Sequence, residues 1–178
     1  MMTALTKRNA WVAAPAWCLI LAGCGFHPLY GNNGGNSQLA ASFSSVYVEP
    51  IPDRVGYQLR NDLLDLFNAT GDAGGSAYRL KLSLTENEQV VGLQTNTAIT
   101  RYNYMLTAHY ELIPAGRTDP AKMGDVTTLT AYDVAAAPFL YATVTAERDA
   151  KDRAANELAE LIRTEIAVYL RAEAEKTP

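Results

Sequence analysis

The chain has 178 residues, of which 48% are hydrophobic, and it carries a formal net charge of -4. The length corresponds to one domain, and the hydrophobic content is enough for a core and excludes an intrinsically disordered chain. The mild acidity argues against nucleic-acid binding, which normally uses a basic face. No apolar stretch approaches the roughly 20 residues of a spanning helix, which excludes a polytopic membrane protein.

The N-terminal segment has the pattern of a bacterial lipoprotein signal peptide. Lys7 and Arg8 precede a nearly continuous apolar run over residues 10–21. The run ends in Leu21-Ala22-Gly23-Cys24, which matches a lipobox, in which the Cys thiol receives diacylglycerol and becomes the new N-terminus. We therefore expect residues 1–23 to be a lipoprotein signal peptide and Cys24 to be the lipidation site. Its acyl chains would hold the protein on a membrane that the chain does not cross.

Cleavage before Cys24 would change the composition of the working protein. It removes Lys7, Arg8 and Cys18 but no acidic residue, so the mature chain is more acidic than the precursor and has a single, lipidated thiol. An intrachain disulfide is therefore excluded in the mature chain. Gly25, rather than the Asp that signals retention in the inner membrane, follows the Cys and favours the outer membrane.

Residues 24–42 are predicted to be a lipidated tether. The Gly- and Asn-rich run over residues 32–37 is typical of a flexible linker. Phe26, Leu29 and Tyr30 are unusually large and apolar for a spacer and surround the bend at Pro28. Two interpretations remain open: the three side chains dock on a partner, or they sit at the membrane interface beside the lipid.

A single domain is predicted over residues 43–178, starting with a strand over residues 43–49 that Pro50 and Pro52 close. Asp53 can cap a helix with a one-sided apolar stripe, and the Gly-rich residues 71–75 end it. The stripe consists of Val55, Leu59, Leu63, Leu66 and Phe67.

The hydrophobic period then changes from 3.6 to 2, which predicts strands. One strand begins at Tyr78, residues 90–94 connect it to the next, and a longer strand extends to Leu112. Its apolar face holds Ala98, Tyr102, Tyr104, Leu106, Ala108, Tyr110 and Leu112, and its polar face holds Arg101, Asn103, Thr107, His109 and Glu111. A last strand over residues 125–134 alternates less cleanly, and we expect it to be covered on both faces.

From about Thr145 the chain is predicted to be helical, with Glu147 and Asp149 at the positive end of the helix dipole. The inward residues start small and become large, which suggests a closer approach to the sheet at the start of the helix. They are Ala150, Ala154, Leu158, Leu161, Ile162, Ile166, Tyr169 and Leu170. The element order predicts an α+β two-layer sandwich, with two helices packed on one face of a four-stranded, mostly antiparallel sheet and the other face uncovered.

The sequence resembles the LPS-assembly lipoprotein LptE family. The resemblance lies in residues 24–31 directly after the lipobox, the Asp53-Arg54-Val55-Gly56 helix entry and the Leu59-Arg60-Asn61-Asp62-Leu63 run that follows. It continues in Pro138-Phe139, residues 146–150, Arg153-Ala154 and Leu158-Ala159.

The resemblance implies a non-enzymatic outer-membrane lipoprotein on the periplasmic side. It implies that the domain sits as a plug in the lumen of the β-barrel protein LptD, assists the assembly of that barrel and helps deliver lipopolysaccharide to the outer leaflet. The family fold, two helices on a four-stranded sheet, agrees with the order of elements predicted above.

An enzyme is not supported by any motif. The chain contains no G-x-S-x-G elbow, H-E-x-x-H, C-x-x-C or phosphate-binding loop, and no metal or other cofactor is expected. His109 with Glu111 is the one base-and-carboxylate pair to consider, and it is more typical of a solvated strand face than of a lipid-anchored periplasmic hydrolase. An auxiliary lipoprotein of an ABC-type lipid transporter is the other alternative.

Two groups of residues are candidates for binding. Tyr102, Tyr104 and Tyr110 offer aromatic area for an interface, although the sheet core is the more natural place for them. Arg101, Arg117 and Lys122 are cations that the phosphates of lipopolysaccharide would favour, and ordinary solvated loop charges explain them equally well.

Overall fold

The computed structural model of the protein describes residues 34–93, 99–135 and 139–176, which form three helices and four strands. In chain order these are α1 (Gly34–Ser44), β1 (Val46–Val48), α2 (Asp53–Phe67), β2 (Tyr78–Leu93), β3 (Ile99–Pro114), β4 (Lys122–Asp133) and α3 (Leu140–Ala174).

The four strands form one sheet in the order β1-β2-β3-β4. β1 runs parallel to β2, whereas β2, β3 and β4 are antiparallel neighbours. The registers place Leu82 opposite Tyr110 and Ala108 opposite Val126. The predicted α+β class and the mostly antiparallel sheet are confirmed.

Alternate residues of the long strands point to opposite faces of the sheet, as their period of 2 requires. On β3 the even-numbered residues face the helices, and Tyr104, Leu106 and Leu112 are fully buried there. The odd-numbered residues of the same strand face away from the helices, as the polar pairs around Thr107 illustrate. Within the part of the chain that the structure describes, the sheet therefore has one face covered by helices and one face, called the uncovered face below, that no helix covers.

The predicted stripe of α2 packs on the covered face. Val55, Leu59, Leu63 and Phe67 are buried as expected, while Leu66 is partly buried. Asp53 lies in the first turn, but its side chain makes no capping hydrogen bond, so that part of the prediction is wrong. The helix ends earlier than residues 71–75, because Asn68 adopts a left-handed conformation (φ 51°) and closes it.

The close approach predicted for the early part of α3 is also observed. The Thr128 hydroxyl donates to the Ala154 carbonyl at 3.3 Å, and the Thr130 hydroxyl donates to the Ala150 carbonyl at 3.1 Å. Small side chains on the helix are needed for such contacts. Leu161 is the exception in the predicted inward set, because 40% of its surface is exposed.

α1 is the element that the sequence pattern did not predict. It includes Gly34–Ser37, expected in a flexible tether, and Phe43, expected in the first strand. Leu39 packs against the core, and the ring of Phe43 stacks on Phe67 with the centroids 5.0 Å apart. The helix is thus held by tertiary contacts, since its own sequence has no strong apolar stripe.

Three further boundaries differ from expectation. Residues 90–93, predicted to be a connection, continue β2 across a bulge near Gly92. β4 starts at Lys122, and it is covered on one face only, because Leu129 is 61% exposed. α3 starts at Leu140, so Glu147 and Asp149 do not lie in its first turn.

Candidate interaction surfaces

The middle of the uncovered face is polar and nearly uncharged. Its side chains are short hydroxyls and amides that can exchange hydrogen bonds with a polar partner. The Thr107 and Thr127 hydroxyl oxygens lie 2.9 Å apart and link two of the strands. The face is formed by Ser83, Thr85, Asn87, Gln89, Asn103, Thr107 and Thr127, with Met105 and the exposed Leu129 among them.

A row of charged pairs crosses the uncovered face at one end. His109 Nδ1 lies 2.9 Å from Asp125 Oδ1, and His109 Nε2 lies 3.7 Å from Glu111 Oε1. Lys81 Nζ lies 3.5 Å from the other carboxylate oxygen of Glu111. Both ring nitrogens of His109 therefore face carboxylates on an open sheet surface, which is the solvated arrangement expected for this pair.

The candidate cations do not form one cluster. Arg101 lies near the start of β3, where its Nη1 is 3.0 Å from Asp133 Oδ1. Arg117 lies in the turn after β3, and Lys122 pairs with Leu112 near the other end of that strand. At about 3.3 Å per residue, Arg101 and the end of β3 at Pro114 are separated by roughly 40 Å. A single phosphate group cannot contact Arg101 and Arg117 together.

Lys122 differs from the two arginines because it points to the covered face. Its Nζ lies 3.4 Å from Glu165 Oε2 on α3, and the Tyr110 hydroxyl donates to the same oxygen at 3.3 Å. Tyr110 and then Glu165 raise the pKa of Lys122. This lysine is already engaged by an ion pair within the domain, whereas Arg117 is exposed and makes no ion pair with the described residues.

Arg117 lines a cleft of about 410 Å³ between the start of β2 and the turn that follows β3. Tyr47, Tyr78 and Arg79 also line it, and Arg79 Nε is 3.2 Å from Glu49 Oε1. Sequence reasoning missed Tyr47 and Arg79. Their only signal was their outward position in alternating strands, because the β1–β2 pairing that places them side by side is a long-range contact.

A second group that sequence reasoning missed lies at the rim of the covered face. Lys151 Nζ on α3 lies 2.8 Å from Glu147, 3.3 Å from Glu88 and 3.7 Å from Glu86. It also lies 5.3 Å from the ring centroid of Tyr104. The i,i+4 spacing of Glu147 and Lys151 was visible in the sequence, but the two glutamates of β2 join them only in the folded sheet.

The tyrosines of β3 belong to the core. Tyr104 and Tyr110 are 0% and 1% exposed, and the partly buried Tyr102 stacks on Tyr132 with the centroids 5.4 Å apart. The core interpretation is therefore confirmed for the first two, and neither is available to a partner.

Several predicted residues lie outside the described part of the chain. These are Cys24 and the tether residues Phe26, Leu29 and Tyr30, together with the signal peptide, Ala98 and Pro138. Among the helices that are described, none combines the length and apolar character needed to cross a bilayer. No group of His, Cys, Asp and Glu in the described ranges is arranged to hold a metal ion.

Comparison with solved structures shows proteins of the same fold. A putative lipoprotein from Caulobacter crescentus CB15 is 27% identical, with a TM-score of 0.62, and the match covers 75% of this chain and 96% of that one. A minor lipoprotein from Acinetobacter baumannii is 17% identical, with a TM-score of 0.56, over 71% and 92% of the two chains. The rare lipoprotein B from Shewanella oneidensis is 13% identical, with a TM-score of 0.52, over 72% and 96%.

Comparison by sequence identifies the family. No curated protein gives a significant match. The family model described as LptE: Lipopolysaccharide-assembly matches residues 43–166, a range that begins in α1 and ends within α3. Because the match spans most of the chain, including all four strands, the protein belongs to the LptE lipopolysaccharide-assembly family.

Proposed function

We propose that this lipopolysaccharide-assembly protein is a non-enzymatic outer-membrane lipoprotein that partners and plugs an LptD-type β-barrel. It is anchored through lipidated Cys24, with its domain on the periplasmic side and within the barrel lumen. There it assists assembly of the barrel and insertion of lipopolysaccharide into the outer leaflet. The family match over residues 43–166 supports the general role in lipopolysaccharide assembly.

The observation that carries the proposal is the uncovered face of the sheet. A sheet face that stays exposed in a monomer is normally solvated or covered by a partner, and this one is long and rich in neutral hydrogen-bonding groups. The lumen of an outer-membrane barrel is likewise polar, because only its outer wall faces lipid. The two surfaces therefore match in chemistry. Contact at the centre of the uncovered face would also not remove water from a charged side chain, because the side chains there are neutral.

The predicted anchor supports the same location. A lipid-modified Cys24 would keep the domain beside the outer membrane, where it can meet a barrel at high effective concentration. Phe26, Leu29 and Tyr30 follow the anchor and are proposed to dock on the barrel or at the membrane interface.

Direct contact with lipopolysaccharide is proposed at Arg101 and Arg117. An acidic protein must meet an anionic lipid through local cations, because its overall field is repulsive. Arg117 is the better placed of the two, since Arg101 already has Asp133 as a partner. Lys122 is proposed as a further, weaker contact, because its ammonium already pairs with Glu165.

Purification of the full-length, lipidated chain in detergent, together with the co-expressed barrel protein, tests the partnership. We expect the two proteins to be recovered together. Thr85→Arg places a long cation in the middle of the uncovered face and should greatly reduce recovery of the barrel. Thr145→Arg makes the same change at an exposed position of α3 and is the matched control.

Recovery of the lipoprotein without any large barrel partner would contradict the proposal. Recovery with the subunits of an ABC-type transporter would instead support the auxiliary-lipoprotein alternative. A deep pocket that places a nucleophile beside His109 would be needed for a hydrolase, and the open surface around His109 does not favour that reaction.

Titration with lipopolysaccharide tests the lipid contacts separately. Arg117→Ala should weaken binding by roughly ten-fold, the equivalent of about 1.4 kcal/mol, because one charge-assisted contact to a phosphate is lost. Arg101→Ala should weaken it less. Unchanged binding by both variants would remove these residues from the lipid site.

A further inference from the structure

The outer edge of β4 is a row of backbone groups that bond to no other strand of the described sheet. β4 is the last strand of the described sheet, so one of its edges has no neighbouring strand there. The Val134 amide donates to the Thr100 carbonyl, which shows that even-numbered positions of this ladder bond to β3. The odd-numbered residues Thr127, Leu129 and Ala131 therefore direct their N–H and C=O groups away from the sheet.

Over residues 126–132, this edge has few of the devices that natural proteins use to prevent strand addition. Such devices are charged side chains, prolines, bulges and covering elements. Residues 126–132 contain no charge and no proline, and their register with β3 has no bulge. One side chain covers part of the edge, since the Arg153 guanidinium donates to the outward-facing Ala131 carbonyl at 3.3 Å.

The opposite side of the sheet provides a contrast. β1 covers only Tyr78–Leu80 of β2, so most of that strand also has an open edge. There, however, Glu86 and Glu88 are charged, and the bulge near Gly92 distorts the strand. The protein thus protects one exposed edge, whereas residues 126–132 of the other edge are regular and uncharged, between the charged Asp125 and Asp133.

α3 lies on the covered face next to the open edge of β4. The contacts of Thr128 and Thr130 with α3 place that helix directly over β4. Its Asp152 faces α2 through Arg54, and helical periodicity places Glu157 and Leu161 on the other side, above the open edge. Both are exposed, and Glu157 makes no ion pair with the described residues.

We propose that β4 accepts one extended segment of a partner polypeptide as a fifth strand of the sheet. The backbone of that segment bonds to the odd-numbered residues of β4. One of its apolar side chains packs beneath Leu161, and a basic side chain pairs with Glu157. The source of the segment rests on the proposed function, which makes the LptD-type barrel protein the partner.

The geometry limits what can supply this strand. A closed barrel wall has no free edge, so the segment must come from a loop or a terminal stretch outside the wall. A second copy of the chain fits poorly. Antiparallel pairing of two β4 strands would put both α3 helices on the same side of the sheet, over neighbouring strands about 4.8 Å apart. The two helices would collide, because packed helices need 8–10 Å between their axes.

The first test uses photo-crosslinking in the full-length complex with the co-expressed barrel protein. p-Benzoylphenylalanine at Leu161, which lies on α3 beside the open edge and not on the uncovered face, should give crosslinks to the barrel protein that map to one extended segment. The same probe at Thr85 reports on the uncovered face. Crosslinks from Thr85 without any from Leu161 would overturn the fifth strand and leave the partnership intact. Absence of both would overturn the proposed function as well, and crosslinks from Leu161 to a second copy would overturn the choice of partner.

The second test removes one outward-facing donor from β4. Thr127→Pro deletes an N–H that does not bond to β3, and edge positions of this kind tolerate proline. We expect retention of the barrel protein to fall by about ten-fold. Thr127→Ala loses the same hydroxyl contact with Thr107 but keeps the N–H, so its retention should stay within about two-fold of the original chain. Equal retention by both variants would overturn the proposal, provided that their thermal melts show both to be folded.

Discussion

The covered and uncovered faces of the sheet are built from the same strands but are subject to different constraints. Leu106 and Thr107 are neighbours on β3, yet the first is completely buried under the helices and the second pairs with Thr127 on the open face. The covered face buries large apolar side chains, which stabilises the fold. The uncovered face contributes little to that core, so its polar residues are free to serve a partner.

Substitution of these two neighbours should give the largest difference between the faces. Leu106→Ala removes buried methyl groups and leaves a cavity, and we expect a loss of about 2–5 kcal/mol in the free energy of unfolding. Thr107→Ala should cost only about 0.2–1 kcal/mol, the usual value of a cross-strand pair. Urea unfolding measures both, and similar losses would contradict the division of the sheet into these two faces.

Substitution of Lys151 tests the ion pairs at the rim of the covered face. Lys151→Met leaves three glutamates without their shared cation, and we expect a loss of about 1–2 kcal/mol at neutral pH, reduced by partial solvent exposure. Burial lowers the pKa of Lys151, but Glu147 and Glu88 outweigh it, so the net pKa is raised. The stabilisation is therefore complete below the unfolded pKa of about 10.5 and is lost as the pH rises through the higher folded value.

Thermal melts of the original chain and Lys151→Met at pH 7 and above pH 11 check this linkage. The difference in Tm between the two proteins should shrink at the higher pH. Burial and Glu88 raise the pKa of Tyr132 to about 12, and Lys151 opposes that rise. Both melts are therefore recorded below pH 12, where ionisation of this tyrosine contributes least, and the two proteins are compared at each pH. A constant difference across this range would exclude the ion pairs as its cause.

The two buried tyrosines of β3 should give the smallest effects, with opposite signs. The Tyr104 hydroxyl is buried and makes no hydrogen bond with the residues that the structure describes, and burial followed by the nearby Glu86 raises its pKa. Tyr104→Phe should therefore be neutral or stabilise the protein by up to about 1 kcal/mol. Tyr110→Phe loses the bond to Glu165 and should cost about 0.5–1.5 kcal/mol. Urea unfolding measures the free energy of unfolding of both variants. A larger loss for Tyr104→Phe than for Tyr110→Phe would contradict this prediction.

Much of this architecture could be predicted because periodicity records which side of an element is buried. The alternation around Leu106 and the stripe through Leu59 and Leu63 gave the two layers and the uncovered face before any contact was known. Boundaries were less predictable. The alternation of β2 weakens at residues 90–93, and the chain continues there as a strand because β3 pairs with it.

The candidate sites were less predictable than the fold, because they depend on register and on contacts between distant residues. Arg101, Arg117 and Lys122 looked like one set of loop cations. Strand register separates the first two by the length of β3, and the even-numbered position of Lys122 on β4 turns it toward Glu165. The charge of each residue was visible in the sequence, but its partner was not.

Sequence alone determined the class of fold, the expected lipid attachment at Cys24 and the resemblance to the family, because these follow from local patterns along the chain. The tertiary structure decided the rest. It recruited residues 34–44 into a helix through Phe43 and Phe67, assembled three glutamates around Lys151 and left the edge of β4 open beneath α3. These features arise from contacts between residues far apart in the chain, on which local periodicity carries no information.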